Sequence, residues 1–216
     1  MKLFEINHQV DPNMAADVII NHCKPFLEQI NYDPARYPIY RGVHTKDKPH
    51  MQVDARTGLR TIRGHNPNRK PLDTPPEVHN ELNRIYKEMF GLPFRNGTFV
   101  SGSYPQSTGY GDMTVVVLPI GNFNFLWSPK VEDALVGYDI DARCIKYKYN
   151  KSVLSPEYLQ DKTDDNDYQT TNLPSAILSR HEIMLYCDSC IILRTKADNP
   201  LAVFHEISST MIRNKS

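Results

Sequence analysis

The sequence lacks the segments that mark membrane and secreted proteins. It has no stretch of about 18 consecutive apolar residues, and residues 1–8 lack the apolar region of a signal peptide. Its 4 cysteines lie in apolar contexts, which is typical of reduced core thiols and not of a disulfide framework. With 40% hydrophobic and 23% charged residues, the 216-residue chain has an ordinary globular composition. We therefore expect one cytoplasmic domain over residues 1–216 that does not contact a membrane.

Patterns typical of metal and redox sites are missing as well. Cys187 and Cys190 form a C-x-x-C pair, but the chain has no second ligand pair at zinc spacing. A redox pair typically lies at the start of a helix that follows a strand, and this pair does not. Three histidines within residues 44–71, namely His44, His50 and His65, have no metal-ligand spacing. The sequence therefore predicts no metal site and assigns both thiols to the core.

The formal net charge is zero, yet the charge is unevenly distributed. Residues 35–70 carry nine basic residues against two acidic ones, and within them the basic excursion 44–71 shows little periodicity beyond a small hairpin formed by residues 51–53 and 59–62. This excursion can bind phosphate groups of a nucleotide or a nucleic acid, or it can be a solubilising loop that pairs with acidic residues. Residues 155–170 carry five acidic residues against one lysine and are predicted to form a solvated acidic loop.

Hydrophobic periodicity indicates a mixture of helices and strands. A helix is predicted over about residues 12–30, broken before Pro25, and the best helix begins at a capping box at Thr74 and ends at Gly91. Residues 112–120 form the strongest predicted strand, β-branched and buried on both faces. Further strands are predicted at residues 37–43, 122–127, 138–154, 183–193 and 201–207, with Trp127 as a core anchor.

Three predicted strands or strand ends carry the residues that are suited to chemistry. Glu182 lies where a polar segment becomes an apolar strand, so it is either a solvated strand end or an acid held at the edge of a cleft. Arg41 interrupts an apolar strand, where its guanidinium must reach an anion or a cleft, and Gly42 permits a close approach to the backbone. Ser101 and Ser103 leave another strand, where they can bind a carboxylate or a ligand sugar, or cap the helix that follows.

Taken together, residues 40–42 (Tyr-Arg-Gly), 99–103 (Phe-Val-Ser-Gly-Ser) and 180–185 (Arg-His-Glu-Ile-Met-Leu) resemble the motifs of the ADP-ribosyltransferase family of the arginine-serine-glutamate type. The motifs come in the same order as in that family. The resemblance covers residues 36–195 and implies an α+β domain with a split, mostly antiparallel β-sheet core and flanking helices. The chain also has a general likeness to proteins encoded by tailed phages, which implies the cytoplasm of the host cell.

The resemblance implies a role for each motif residue, with NAD lying across the split sheet as the substrate. Arg41 is implied to contact a phosphate or ribose of NAD, Ser101 to orient the catalytic Glu182, and Glu182 to hydrogen-bond the ribose beside the bond to nicotinamide. Gly42 and Ser103 belong to the same implied binding set. Tyr104, Tyr110 and Phe123 are the candidates for the aromatic side chain that stacks on nicotinamide, with ordinary core packing as the alternative for each; Tyr110 is included in the NAD-binding set.

The implied activity is mono-ADP-ribosyl transfer to a macromolecular acceptor, or hydrolysis of NAD. Arg180 stands where members that modify arginine usually carry Glu or Gln, so it is predicted to face a nucleic-acid phosphate or an acidic protein surface. The alternative hypothesis is a noncatalytic phage or host binding protein that uses the basic residues 36–70 for nucleic acid or a protein partner. The enzyme requires Arg41, Ser101 and Glu182 around one cleft, whereas the binding protein requires only an exposed basic face.

Overall fold

The structure is a computed structural model that describes residues 10–44, 51–54, 56–71, 74–138, 140, 155–196 and 198–213. Most of the edge strand predicted within residues 138–154, and residues 45–50 of the basic excursion, therefore lie outside the described residues. None of the helices in the described part has the length and hydrophobicity that crossing a membrane requires.

The chain forms an α+β domain whose strands are joined in one antiparallel sheet. The helices are α1 (Pro12–His22), α2 (Lys24–Gln29), α3 (Pro76–Phe90), α4 (Tyr104–Thr108), α5 (Ala134–Gly137), α6 (Pro156–Asp165), α7 (Leu173–Ser179) and α8 (Pro200–Arg213). The strands are β1 (Tyr40–Val43), β2 (Gln52–Val53), β3 (Arg60–Arg63), β4 (Thr98–Ser101), β5 (Met113–Pro119), β6 (Asn124–Trp127), β7 (Glu182–Tyr186) and β8 (Ser189–Arg194). The 8-stranded sheet has the order β2-β3-β8-β5-β1-β4-β7-β6. The predicted α+β class and antiparallel sheet are confirmed.

The sheet is nearly divided between β1 and β4. β1 pairs with β5 over its whole length, from Tyr40 to Val43, whereas its pairing with β4 consists of one register pair, Tyr40 with Ser101. β4 in turn pairs with β7 from Thr98 to Ser101. Since successive residues of β1 beyond Tyr40 make no pair with β4, the two strands leave a gap that opens away from the Tyr40–Ser101 junction.

Two apolar cores lie on either side of the strands next to this gap. The first core packs α1, α2 and α8 against β5 and β8. The second core packs α3 and α6 against β6 and β7. Alternation along the strands assigns neighbouring residues to different cores, so that Met184 belongs to the second core and Ile183 and Leu185 to the first. β5 is buried over all but its first residue, as predicted.

Local signals in the sequence predicted several element ends correctly. The helical stretch at the start of the chain breaks at Cys23, one residue before the helix that contains Pro25. Gly91 ends α3 with φ of 84°, in the left-handed region that glycine adopts without steric cost. The hairpin within the basic excursion exists as β2 and β3, and β3 extends the main sheet by pairing with β8.

Two predicted elements are wrong. The acidic segment is not a solvated loop, because α6 occupies residues 156–165 and buries Leu159 and Thr163 against the second core. The last predicted strand, residues 201–207, is part of helix α8. Its apolar residues Val203, Phe204 and Ile207 are spaced for one face of a helix, and all three are buried.

The predicted capping box of α3 is wrong as well. The helix begins at Pro76, its N-cap is Pro75, and the cap makes no side-chain hydrogen bond. The hydroxyl of Thr74 instead accepts a hydrogen bond from Arg95 Nη2 at 2.9 Å. A residue expected to stabilise a helix end therefore holds a buried cation.

Candidate active site

The three residues of the predicted motif lie on neighbouring strands. Arg41 is on β1, Ser101 on β4 and Glu182 on β7, and these strands are adjacent in the sheet. Ser101 and Glu182 are direct register partners, so their side chains leave the same face of the sheet. Strand spacing of about 4.8 Å places the backbones of β1 and β7 roughly 10 Å apart.

Arginine side chains fill the gap between β1 and β4. Arg41 Nη1 donates a hydrogen bond to the carbonyl oxygen of Phe99 at 3.1 Å, and Arg69 Nη1 donates to the carbonyl oxygen of Gly97 at 2.6 Å. Both acceptors belong to the β4 segment that β1 does not pair with. The gap is therefore bounded by the backbone of β4 and by two guanidinium groups, as expected of an arginine that reaches a cleft.

Glu182 is the first residue of β7, and other parts of the chain contact it. Its backbone N–H donates to the carbonyl oxygen of Glu132 at 2.7 Å, and its Oε1 accepts the N–H of Ala134 at 3.3 Å. Part of its surface stays exposed, while Asp133, at the start of α5, adds a second negative charge nearby. The backbone contacts hold the carboxyl group in place, which a catalytic acid requires.

The environment of Glu182 brings its ionisation close to neutral pH. Burial is the main reason why the pKa of Glu182 rises from 4.5 to about 7; Asp133 contributes to the rise, while Arg95, Arg69 and the N–H of Ala134 oppose it. At neutral pH both protonation states are therefore populated. An acid with this pKa can act as a general base or as a stabilising carboxylate at physiological pH.

Arg69 and Arg95 approach the aromatic ring of Phe99 beside Glu182. The guanidinium carbon of Arg69 lies 4.1 Å from the ring centroid and that of Arg95 lies 5.6 Å from it. Burial, followed by repulsion from Arg41 and Arg95, lowers the pKa of Arg69 to about 10, whereas Glu182 acts in the opposite direction. Arg69 and Arg95 therefore act on the carboxyl group of Glu182, Arg41 acts on Arg69, and the region carries excess positive charge.

Three tyrosines line the second core next to this region. The hydroxyl of Tyr138 lies 3.0 Å from that of Tyr86 and 2.7 Å from Thr163 Oγ1. The ring of Tyr168 stacks on Tyr138 at a centroid distance of 6.2 Å. Burial raises the pKa of Tyr168 well above its ordinary value, with smaller contributions from Tyr138 and Glu182, and the phenol is therefore neutral. Tyr168 is an aromatic side chain near Glu182 that sequence analysis did not consider.

The two serines make contacts that differ from those implied by the resemblance. Ser101 Oγ lies 2.8 Å from the carbonyl oxygen of Arg180 and 2.7 Å from Gln106 Oε1, and it accepts the N–H of Ser103 at 3.0 Å. Ser101 thus contacts the segment that leads into Glu182, not its carboxyl group. Ser103 Oγ caps α4 by accepting the N–H of Gln106 at 3.3 Å, which is the capping alternative considered for this hydroxyl.

Gly42 is required by the packing of the protein itself. A Cβ atom at this position would clash with the carbonyl oxygen of Ser107 and would lie 3.0 Å from the backbone nitrogen of Gly111. The close approach predicted at Gly42 is thus made by the end of α4 and the residues that follow it. Tyr110, in the same segment, is 52% exposed.

The remaining predicted residues lie near the edge of the candidate site or in the first core. Tyr104 packs edge to face against Tyr40 at 5.5 Å, whereas Phe123 packs against Phe26 at 5.9 Å on the side of the first core. Arg180 ends α7 in the left-handed conformation with φ of 64°, and its side chain is exposed. Trp127 is buried and donates its indole N–H to the carbonyl oxygen of Thr171 at 2.9 Å, as expected of a core anchor.

The basic excursion does not present all of its charge to solvent. Arg60 forms an ion pair of 3.2 Å with the buried Asp198, and Arg69 points to the Phe99 region. Arg63, in contrast, is exposed at the end of β3. Part of the excursion is thus used for folding and part for the candidate site.

The thiols of the C-x-x-C pair lie buried in the first core, as predicted. Their sulfur atoms are 3.3 Å apart, and both thiols are free. Hydrogen bonding to Cys187 and burial raise the pKa of Cys190 well above its ordinary value. Among the described residues no group of three or more His, Cys, Asp or Glu side chains could hold a metal ion.

Arg95 is the residue of this region that sequence analysis missed entirely. It lies in the short 3₁₀ helix Phe94–Asn96 before β4 and is 4% exposed. The sequence does contain a signal, since a basic residue directly follows Phe94 and lies three residues before the start of β4. A cation in such an apolar context needs a partner, and the partner of Arg95, Thr74, is distant in sequence. Arg69 was included only as one charge of the basic excursion.

Comparison of the chain with family models, with curated proteins and with solved structures found no significant match.

Proposed function

We propose that the protein is an NAD-dependent mono-ADP-ribosyltransferase or NAD glycohydrolase with Glu182 as its catalytic carboxylate. The observation that carries this proposal is the placement of Arg41, Ser101 and Glu182 on the adjacent strands β1, β4 and β7 at a gap in the sheet. The sequence resemblance requires this convergence, and nothing local in the sequence enforces it. A noncatalytic protein would not need Ser101 and Glu182 in register.

The proposed reaction breaks the bond between the ribose C1′ atom and the nicotinamide nitrogen. The bonding electron pair leaves with nicotinamide, so its ring loses the positive charge and the ribose becomes oxocarbenium-like. The carboxylate of Glu182 stabilises that charge and accepts a hydrogen bond from a ribose hydroxyl. An acceptor hydroxyl or water then bonds to C1′, and its proton passes to Glu182, whose pKa of about 7 suits proton transfer at neutral pH.

The surroundings of Glu182 also support a substrate that is negatively charged. Arg41, Arg69 and Arg95 lie around the gap and carry more positive charge than Glu182 and Asp133 offset. The exposed Arg180 lies two residues before Glu182. We assign it to the acceptor side, where it would contact a nucleic-acid phosphate or an acidic protein surface.

The experiment is a measurement of nicotinamide release from NAD by the purified protein, alone and with host lysate as a source of acceptor. Glu182→Gln keeps the side-chain size and removes the charge, so we expect release to fall by about 100-fold or more. The matched control is Glu132→Gln, which removes an exposed carboxylate close to the candidate site and should leave release unchanged. Glu132 bonds to Glu182 through its backbone carbonyl oxygen, so its side chain can be changed without altering that hydrogen bond.

Two results would contradict the proposal. One is equal nicotinamide release by the wild-type protein and the folded Glu182→Gln variant. The other is the absence of both NAD binding and nicotinamide release in the wild-type protein, with and without lysate. The second result would favour the noncatalytic binding protein, with the arginines near Phe99 and the basic excursion as the regions to test next.

A further inference from the structure

Arg95 is a buried cation for which neither the fold nor the proposed reaction accounts. Its Nη2 atom donates to Thr74 Oγ1 at 2.9 Å, whereas its Nε and Nη1 atoms have no hydrogen-bond partner among the described residues. Buried polar atoms are nearly always hydrogen-bonded, and an unpaired buried charge is costly. Two nitrogen atoms of a charged group therefore have no partner in the described part of the chain, and a ligand is one group that can supply it.

Arg69 adds a second guanidinium beside the same aromatic ring. It stacks over Phe99 at 4.1 Å, while Arg95 lies 5.6 Å from the ring centroid. Arg69 is half-buried, and the one hydrogen bond of its guanidinium to the described part of the protein is the contact with the carbonyl oxygen of Gly97, so most of the guanidinium donors are not used there. Two like charges are thus held near each other in a partly desolvated region.

The nearby acid does not neutralise these cations. Glu182 makes no ion pair within 4.0 Å with Arg69 or Arg95 in the described part of the chain. His79 is a buried polar side chain next to Arg95, and burial followed by repulsion from Arg95 lowers the pKa of this imidazole. His79 is therefore neutral at physiological pH and adds no charge to the two guanidinium groups.

We propose that Arg69 and Arg95 form a binding site for a phosphate group beside Phe99. A phosphate offers several oxygen atoms and up to two negative charges, so it can accept hydrogen bonds from both guanidinium groups at once. A carboxylate has only two oxygen atoms and one charge. The site does not depend on the proposed function. The phosphate belongs either to the diphosphate of NAD or to a second, phosphate-bearing ligand.

The site is tested by calorimetric titration of the whole protein with inorganic pyrophosphate at constant ionic strength. Arg69→Gln and Arg95→Gln should each weaken pyrophosphate binding by about tenfold or more. The matched control is Arg63→Gln, which removes an exposed arginine of the same segment and should leave binding unchanged. Near-UV circular dichroism checks that each variant is folded, and the half-buried Arg69 serves as the test if Arg95→Gln does not fold.

The proposal is overturned if the wild-type protein does not bind pyrophosphate, or if Arg63→Gln weakens binding as much as Arg69→Gln. Competition between NAD and pyrophosphate, with a higher KM for NAD in Arg69→Gln, would assign the site to the NAD diphosphate. Simultaneous binding of both would assign it to a second ligand. Pyrophosphate binding without nicotinamide release would contradict the proposed function alone, and nicotinamide release without pyrophosphate binding would contradict the phosphate site alone.

Discussion

Two buried groups of arginines and acids in this protein are built from the same residue types but differ in how their hydrogen bonds are completed. In the first, the side chain of Asp198 is fully buried and accepts hydrogen bonds from Arg60 Nη1 at 3.2 Å, Arg194 Nη2 at 2.9 Å and the Arg194 N–H at 2.8 Å. In the second, Glu182 makes no ion pair within 4.0 Å with Arg69 or Arg95 in the described part of the chain. We call the first group closed, because its acid is paired with arginines of the protein. We call the second group open, because its acid forms no such pair with Arg69 or Arg95 in the described part of the chain.

This difference separates a structural ion cluster from a binding site. Asp198 joins β3 and β8 to the start of α8, so its charge is used within the fold. Among the described residues, neither Arg69 nor Arg95 forms an ion pair with an acid. A buried charge without a partner lowers stability, and it is expected where a ligand supplies the partner. The completeness of hydrogen bonding is thus more informative than the presence of charge.

The largest effect should come from removing the acid of the closed group. Asp198→Asn keeps the side-chain size and leaves Arg60 and Arg194 without their negative partner, so we expect the free energy of unfolding to fall by about 3–5 kcal/mol. Urea unfolding followed by circular dichroism measures the change. Asp188→Asn, at an exposed acid in the turn between β7 and β8, is the matched control and should change stability little. A loss no larger than that of the control would show that the ion cluster is not structural.

The next effect concerns the pH dependence of stability in the open group. The pKa of Glu182 is about 7 in the folded protein against an ordinary value of 4.5, so the folded state binds the proton more tightly. The free energy of unfolding therefore falls as pH rises from about 4.5 to 7 and levels off above 7. Between pH 5 and 8 this fall should be about 1–3 kcal/mol, since solvent still reaches part of the side chain.

Glu182→Gln has no titrating group at this position and should lose this component. Urea unfolding of both proteins at pH 5 and pH 8 isolates it, because the other ionisable groups are common to the two. An identical pH dependence in the wild-type protein and the variant would mean that the carboxyl group is not perturbed by burial.

Replacing Arg95 should not lower the free energy of unfolding, in contrast to replacing Asp198. Arg95→Met fills a similar volume without a charge, so we expect stability to stay the same or to rise by about 1–2 kcal/mol, while phosphate binding is lost. Thermal unfolding without ligand measures the stability. A loss of stability as large as that of Asp198→Asn would place Arg95 among the structural arginines and remove the contrast between the two groups.

Much of the fold could be predicted because the signals for it are local. The apolar run of β5, the end of α3 at Gly91 and the break before Pro25 each depend on residues close together in sequence. The acidic segment and residues 201–207 were predicted wrongly because charge density and a short apolar run were given more weight than helical spacing. In both segments the buried residues are spaced for a helix.

The candidate site could be predicted only in part, because its members meet through tertiary structure. Arg41, Ser101 and Glu182 were found through the order of their motifs, and the adjacency of their strands follows from the sheet topology. Arg95 could not be found in this way, since its partner Thr74 is 21 residues away and had a local interpretation as a helix cap. A local signal that is sound by itself can thus conceal a long-range contact.

The smallest expected change in stability concerns the hydrogen bond between Thr74 and Arg95. Thr74→Val keeps the side-chain shape and removes the one acceptor bound by Arg95 among the described residues, so it should lower the free energy of unfolding by about 1–2 kcal/mol. Thr74→Ser keeps the hydroxyl and should cost less. In the Arg95→Met background the hydroxyl has no cation to bind, so Thr74→Val should then have little effect. A double-mutant cycle from urea unfolding measures this coupling. Equal costs in the two backgrounds would instead assign the hydroxyl to the start of α3, and Arg95 would then be held by its burial and by Phe99.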